Sequence, residues 1–305
     1  MSLENSRSFR QFFYKRWLRL FPAMLIATVL IYSTTALFPD RPIGDPTLLS
    51  LLPGLSFIEP RWWEILLQSP VVPLEGAFWS LFVEMKFYLI AGLAFFKLGR
   101  RRVIPFLILL FSGSVVISYL ATSTDIPLFD FANSVSHHLS LKYFGWFAAG
   151  ALLYRYHATG QDYTFFAGLT VSIFSSIFVK SGFEITPIVG ALVILLFFAG
   201  AIRWECLQRV FDNKIFIFFG FISYPLYLIH ENAMISMITG VHGSFPSVPR
   251  LCLPLLPFIL VAAVSYGIVK MLQPKCRGFI NRTIQFIWLA IGRYGCTSAA
   301  KNVSR

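Results

Sequence analysis

Three segments of this sequence carry ionisable or hydroxyl-bearing side chains inside apolar runs, where such groups are expensive to keep. In the run from Phe78 to Phe96, Trp79-Ser80-Leu81-Phe82-Val83-Glu84-Met85-Lys86-Phe87-Tyr88 contributes a carboxylate and an ammonium. A charged side chain at the centre of a membrane helix costs at least ~2.5 kcal/mol on insertion scales, so it usually faces a bundle interior or a cavity and has a partner. At about 100° per residue, Ser80, Glu84 and Tyr88 share one helix face, while Trp79, Val83 and Lys86 lie along another. Glu84 and Lys86 therefore do not neutralise each other on one helix. Two readings remain open, an ion pair to a neighbouring helix and the wall of an active site.

The second segment is Ile222-Ser223-Tyr224-Pro225-Leu226-Tyr227-Leu228-Ile229-His230-Glu231-Asn232. Ser223, Tyr227, His230 and Glu231 fall at i, i+4, i+7 and i+8 and make a polar stripe. Pro225 removes one helix hydrogen bond, frees the carbonyl of Phe221 and predicts a kink beside the stripe. A lone helical histidine is usually packed and hydrogen-bonded, whereas one in a polar stripe beside a carboxylate is placed to bind a polar substrate or move a proton. In the third segment, Phe12-Phe13-Tyr14-Lys15-Arg16-Trp17-Leu18-Arg19-Leu20-Phe21-Pro22, Arg16 and Arg19 sit one helical turn apart. That spacing suits two guanidinium groups gripping a phosphate or carboxylate. Anchoring on the positive side of a membrane explains most arginines in such positions equally well.

Glu84 is placed seven residues from the outer start of its run, and His230 eight from the outer end of its own. At about 1.5 Å per residue, both lie roughly 10–12 Å below the same membrane edge. The expectation is a cavity lined by Glu84, His230 and Glu231 and open to the extracytoplasmic side. Other matches carry less. His157 and Asp162 read as an HxxxxD pair, but without the companion blocks of the glycerolipid acyltransferases that use one. His137-His138 has no acidic or Cys neighbour at ligand spacing, and Cys206, Cys252, Cys276 and Cys296 form no CxxC, so no metal site is indicated.

The elements that must position these groups are membrane spans. Apolar residues are 56% of the 305 positions, charged ones 13%, and mean hydropathy is +0.69, whereas a soluble domain is about 25% charged. The fold class expected is all-α, a polytopic bundle with spans near 20–38, 77–96, 103–121, 139–154, 163–180, 185–202, 215–238 and 251–271. Residues 1–19 read as a basic cytoplasmic segment, 20–271 as the transmembrane domain and 272–305 as a cytoplasmic tail. The stretch 48–74, broken by Pro53, Pro60, Pro70 and Pro73 and carrying Trp62 and Trp63, reads as interfacial or re-entrant. Residues 279–292 read as a short helix on the membrane surface. No cleavable signal peptide is expected, since residues 1–19 are basic and polar.

The net charge of +12 would suggest nucleic acid in a soluble protein. Here the basic residues instead flank the ends of apolar runs. Arg7, Arg10, Lys15, Arg16 and Arg19, then Lys97 and Arg100 to Arg102, then Arg155, Arg203, Arg209 and Lys214, and seven more from Lys270 onward, put 20 of 26 on one side. Arg41, Arg61, Lys180 and Arg250 fall on the other. Both termini are therefore expected in the cytoplasm.

Taken together and in order, the three segments resemble the acyltransferase type 3 family. Its basic Phe-Tyr-x-Arg-x-x-Arg-x-x-Pro entry reads here Phe13 to Pro22, its Trp-Ser-Leu-x-x-Glu-x-x-Phe-Tyr helix Trp79 to Tyr88, and its late Ser-Tyr-x-Leu-Tyr-Leu-x-His helix Ser223 to His230. Phe144-Gly145-Trp146-Phe147-Ala148-Ala149-Gly150-Ala151-Leu152-Leu153-Tyr154 is similar to its glycine-containing middle helix. The resemblance implies transfer of an acyl group, often acetyl from acetyl-CoA as co-substrate, onto a hydroxyl of a cell-envelope polysaccharide or other surface glycan, with no bound cofactor. Arg16 and Arg19 would then handle the acyl donor. Trp79, Ser80, Glu84 and Tyr88, with Tyr224, Tyr227, His230 and Glu231, would form the acceptor site or active-site wall in a bacterial inner membrane.

Family members usually carry ten spans, the first holding an Arg followed eleven residues later by the catalytic His. The sequence lacks a counterpart to that helix, so no catalytic residue is assigned, and the missing pair of helices is expected either upstream of Met1 or from another chain. Partners expected are the bilayer, acyl-CoA and the glycan. The alternatives are an inactive, truncated remnant of such an enzyme and a transporter of a small polar solute, the latter without the internal repeat that transporters often show.

Overall fold

The computed structural model describes residues 3–178, 185–284 and 286. Helices follow one another as α1 (Phe9–Ser33), α2 (Leu51–Ser56), α3 (Pro60–Leu67), α4 (Trp79–Leu98), α5 (Arg100–Ser123), α6 (Pro127–His138), α7 (Phe144–Thr159), α8 (Asp162–Phe178), α9 (Ile185–Arg203), α10 (Glu205–Phe211), α11 (Lys214–Ser244) and α12 (Leu255–Gly267). Helix continues past α12 through five residues of π-helix, so that Leu255–Ile284 is one uninterrupted rod. No strand occurs among the described residues, as the all-α expectation requires.

Among the described residues, four helices are long and apolar enough to cross a membrane: Phe9–Ser33, Arg100–Ser123, Ile185–Arg203 and Leu255–Ile284. The remaining expected spans are also helical, as α4, α7, α8 and α11. Of these, α7 and α8 have 16 and 17 residues, and α4 and α11 carry the charged and polar groups singled out above.

Boundaries differ from the sequence reading in instructive ways. The first span begins at Phe9 and not near residue 20, because the basic segment has helix-forming side chains and buries an apolar face through Phe12 and Leu18. A separate helix, α6, precedes the fourth expected span. Pro127 starts it at a position where the missing N–H is harmless, and Ser140, at φ 59°, turns the chain into α7. The expected surface helix at 279–292 is not separate: through Ile284 it continues the rod begun at Leu255, and positions 287–292 lie outside the described residues, as does Cys296. The stretch 48–74 holds two short helices, each closed by a left-handed residue, Phe57 and Gln68. α3 exposes Trp62, Ile65 and Leu66, and neither helix is long enough to span.

The chain forms two compact units, one of Met1–Arg16 with Ser80–Ile217 and one of Trp17–Trp79 with Phe218–Arg305. In the first, Ala91, Val103, Leu107, Phe111, Phe144 and Ala148 make the core, with Phe87 stacked on Phe147 at 3.8 Å between ring centroids. Small residues bring α7 and α8 together. A Cβ on Gly145 would collide with Ser175 Oγ, and one on Gly168 would come within 2.9 Å of Leu153 Cγ. Lipid tails are as apolar as leucine, so close packing of this kind supplies what hydrophobic exclusion cannot. An ion pair from Arg203 Nη1 to Asp162 Oδ1 at 2.8 Å ties the ends of α9 and α8. It accounts for Asp162 without an HxxxxD site. In the second unit, α11 meets α1 through a hydrogen bond from Tyr224 Oη to the Leu20 carbonyl, 3.0 Å, and meets α12 through Phe219 and Phe258.

Candidate functional site

In the first unit, the α-helical spacing of Glu84 and Tyr88 closes a hydrogen bond from the Tyr88 hydroxyl to the Glu84 carboxylate. Tyr88 is buried and Glu84 half-buried. Arg16 stands over the Tyr88 ring at 5.3 Å and over Phe12 at 5.8 Å, so two aromatic faces hold its guanidinium by cation–π attraction. Its Nε is buried and has no hydrogen-bond partner. Lys86 turns away, as the face assignment required, and donates to Ser140 Oγ at 3.1 Å. Ser80, next to these on α4, is half-buried.

Of the other residues singled out, Arg19 and Trp79 are exposed, and both belong to the second unit, as do Tyr224, Tyr227, His230 and Glu231. The sequence reading paired Glu84 with His230 and Glu231. Each group has partners inside its own unit.

The α11 stripe is fastened to the segment leading into α4. Tyr227 Oη donates to the Ala77 carbonyl at 2.6 Å, and the Ala77 N–H donates to Glu231 Oε2 at 2.6 Å. Gly76 makes this possible, since a Cβ there would lie 2.6 Å from both Glu231 carboxylate oxygens. His230 Nδ1 lies 2.9 Å from the Tyr227 carbonyl. A carbonyl only accepts, so Nδ1 carries the proton and Nε2 is left as the acceptor of the neutral ring.

One residue further along α11 is a cluster that sequence reasoning missed. Glu75 and Asn232 are 1% and 4% exposed. The Asn232 backbone N–H donates to Glu75 Oε1 at 2.9 Å and Nδ2 to Oε2 at 2.6 Å, while Nδ2 also donates to the Leu74 carbonyl at 2.7 Å. The same carbonyl accepts from Arg41 Nη2 at 2.8 Å. Arg41 further donates from Nε to the Ile43 carbonyl at 2.9 Å and from Nη1 to Thr35 Oγ1 at 3.0 Å.

Burial pushes the Glu75 carboxyl up to about 7, with Glu231 adding to the rise and the Asn232 donors and the Arg41 charge opposing it. Burial also lowers Arg41 from its ordinary value, against the attraction of Glu75 and Asp45. Two signals could have found this cluster. Arg41 is one of the few basic residues on the sparsely charged side, and Glu75 stands alone among apolar neighbours just before α4. Neither has a helical spacing to a partner in sequence, because the contacts join positions more than 30 and 150 residues apart.

Among the described residues no group of three or more His, Cys, Asp or Glu is assembled in a way that could hold a metal ion. The chemistry on offer is hydrogen bonding and cation–π binding by polar groups carried on or beside apolar helices. That is the equipment of a membrane protein acting on a polar group. Comparison with curated proteins and with solved structures found no match. A family model described as an acyltransferase domain matches residues 1–270, covering all three motif segments, Arg16, the Glu84 helix and the α11 stripe. The chain therefore belongs to the acyltransferase type 3 family and is a membrane protein of acyltransferase type.

Proposed function

We propose that the chain is an O-acyltransferase that moves an acyl group, acetyl from acetyl-CoA, onto a hydroxyl of a cell-envelope polysaccharide or other surface glycan. The observation that carries this is Arg16. A guanidinium is held between Phe12 and Tyr88, with a buried Nε–H that has no partner, beside a Tyr88 hydroxyl already donating to Glu84. An unmet buried donor on a cation is costly unless something fills it, and a phosphate of the donor has the complementary charge, while its thioester carbonyl is a neutral acceptor. In this reading Arg19, one turn further, contributes a second cation. Ser80, Glu84 and Tyr88 wall the donor site beside Arg16 within the first unit, and Trp79, Tyr224, Tyr227, His230 and Glu231 are the acceptor-binding groups of the second unit. The bundle has eight spans, with α4, α7, α8 and α11 added to the four apolar ones, and lies in the cytoplasmic membrane with both termini inside, as the distribution of 20 of 26 basic residues favours.

The test uses membranes containing the full chain, radiolabelled acetyl-CoA and purified envelope glycan, with alkali-labile label on the glycan as readout. Charge-assisted hydrogen bonds contribute about 1.5–3 kcal/mol, so Arg16→Ala should raise the KM for acetyl-CoA by roughly ten- to a hundred-fold. Arg16→Lys keeps the charge but loses the planar fork and should fall between, with the same unfolding midpoint as the parent. No labelling above empty membranes, or an unchanged KM in both variants, sinks the reading.

A further inference from the structure

Behind the Glu75–Asn232 cluster, within the second unit, is a cleft of about 260 Å³ between the end of α1, α11 and α12. Its walls are apolar, from Leu30, Ile31 and Phe38 on one side to Leu260, Val261 and Val264 on the other, and its polar residues are Thr34, Arg41, Glu75 and Asn232. Asn232 holds the unusual feature: its Oδ1 is buried and has no partner. The side chain cannot be turned to cure this, because the atom 2.7 Å from the Leu74 carbonyl must be a donor. An acceptor left unmet in a buried place is expensive, so a hydrogen-bond donor that reaches Oδ1 from the cleft Asn232 lines would relieve that cost.

The charges beside it select the kind of head. Every nitrogen of Arg41 already has a protein acceptor, and the neighbouring carboxyl of Glu75 disfavours an anion. The Arg41 charge is met by the nearby carboxyls of Glu75 and Asp45, so a phosphate-bearing head would have to compete with them, whereas a neutral hydroxyl finds an acceptor at Asn232. The cleft is also smaller than the about 300–1,000 Å³ of pockets for drug-sized ligands, which suits a single chain and not a two-tailed lipid. We propose that this cleft binds the tail of a single-chain amphiphile whose uncharged, hydroxylated head donates a hydrogen bond to Asn232 Oδ1, as an alkyl or isoprenoid glycoside would. As the seat of a lipid-anchored acceptor it rests on the acyltransferase reading; as a binding site it does not.

The experiment reconstitutes the full chain in nanodiscs with dodecyl glucoside carrying a diazirine in its tail, and maps cross-linked residues by mass spectrometry. Cross-links are expected to concentrate on residues 30–38 and 260–264, to fall at least five-fold with excess unlabelled dodecyl glucoside, and to persist with equal phosphatidylglycerol or dodecane. Val264→Trp and Leu260→Trp, which fill the slot without touching the polar cluster, should each lower them several-fold while leaving the unfolding midpoint in place.

Competition as effective from phosphatidylglycerol or dodecane as from the glucoside shows an ordinary bilayer tail and overturns the proposal. So does labelling spread over the outward-facing Leu109 and Tyr119 of α5 to the same degree. Acetyl transfer measured in parallel separates the two claims. Cross-linking without transfer removes the enzyme reading alone, and transfer without localised cross-linking removes the cleft alone.

Discussion

Single side chains decide whether polar groups survive inside these helices, and Glu75 is the most exacting case. Each of its oxygens accepts a hydrogen bond from Asn232, yet burial outweighs the donors around it and leaves the carboxyl near 7. A folded-state value raised above the ordinary 4.5 means that between those values the folded protein binds the proton and the unfolded chain does not. The stabilisation is then fully present below about pH 4.5 and is lost as pH rises through about 7, with a span on the order of 3 kcal/mol. Glu75→Gln should flatten that dependence when unfolding midpoints in detergent are compared from pH 4.5 to 8. A slope as steep as the parent's would assign it to other groups. Tyr227→Phe strips the Ala77 carbonyl of its donor and should destabilise by about 1–3 kcal/mol, read from the same melts. A change below a few tenths would mean that Ala77 finds another partner.

At the scale of elements, the α7–α8 pair shows how the first unit is held. Gly145 faces Ser175, and Gly168 faces Leu153 and Ala149, so the two backbones approach as closely as their residues permit. Gly145→Leu should drive the helices apart and destabilise by about 1–3 kcal/mol or more, the range for overpacking, measured as a lowered melting midpoint. Gly150→Leu, at a position with open space, should be tolerated far better. Equal effects would show that the small residues matter for helix propensity and not for packing. The α11 helix makes a complementary point: three successive residues, His230, Glu231 and Asn232, have three different fates because each faces a different neighbour.

For the molecule as a whole, the charge distribution makes a claim about the membrane. On the proposed orientation, with both termini inside, a membrane-impermeant thiol reagent added from outside should label Cys252, which is exposed just before α12, and spare Cys206 and Cys276 in sealed cells. Cys206 is exposed too, so permeabilisation should bring its labelling up to that of Cys252. Labelling of Cys206 ahead of Cys252 in intact cells reverses the orientation.

The sequence by itself determined the all-helical class and the family, because hydropathy and i, i+4 spacing are local properties of the chain. Glu84 with Tyr88 was legible for that reason, as was Lys86 turning elsewhere. Helix ends were less legible: the start of α1 depends on whether basic residues gain an apolar face to bury, and the existence of α6 on a left-handed serine. What only the tertiary structure decided is which distant groups meet. Arg41, Glu75 and Asn232 lie in three separate stretches of chain. Long-range hydrogen bonds made at the cost of desolvating each group leave no periodic trace in sequence, and the unmet oxygen of Asn232 exists only once Leu74 has fixed the amide's other end.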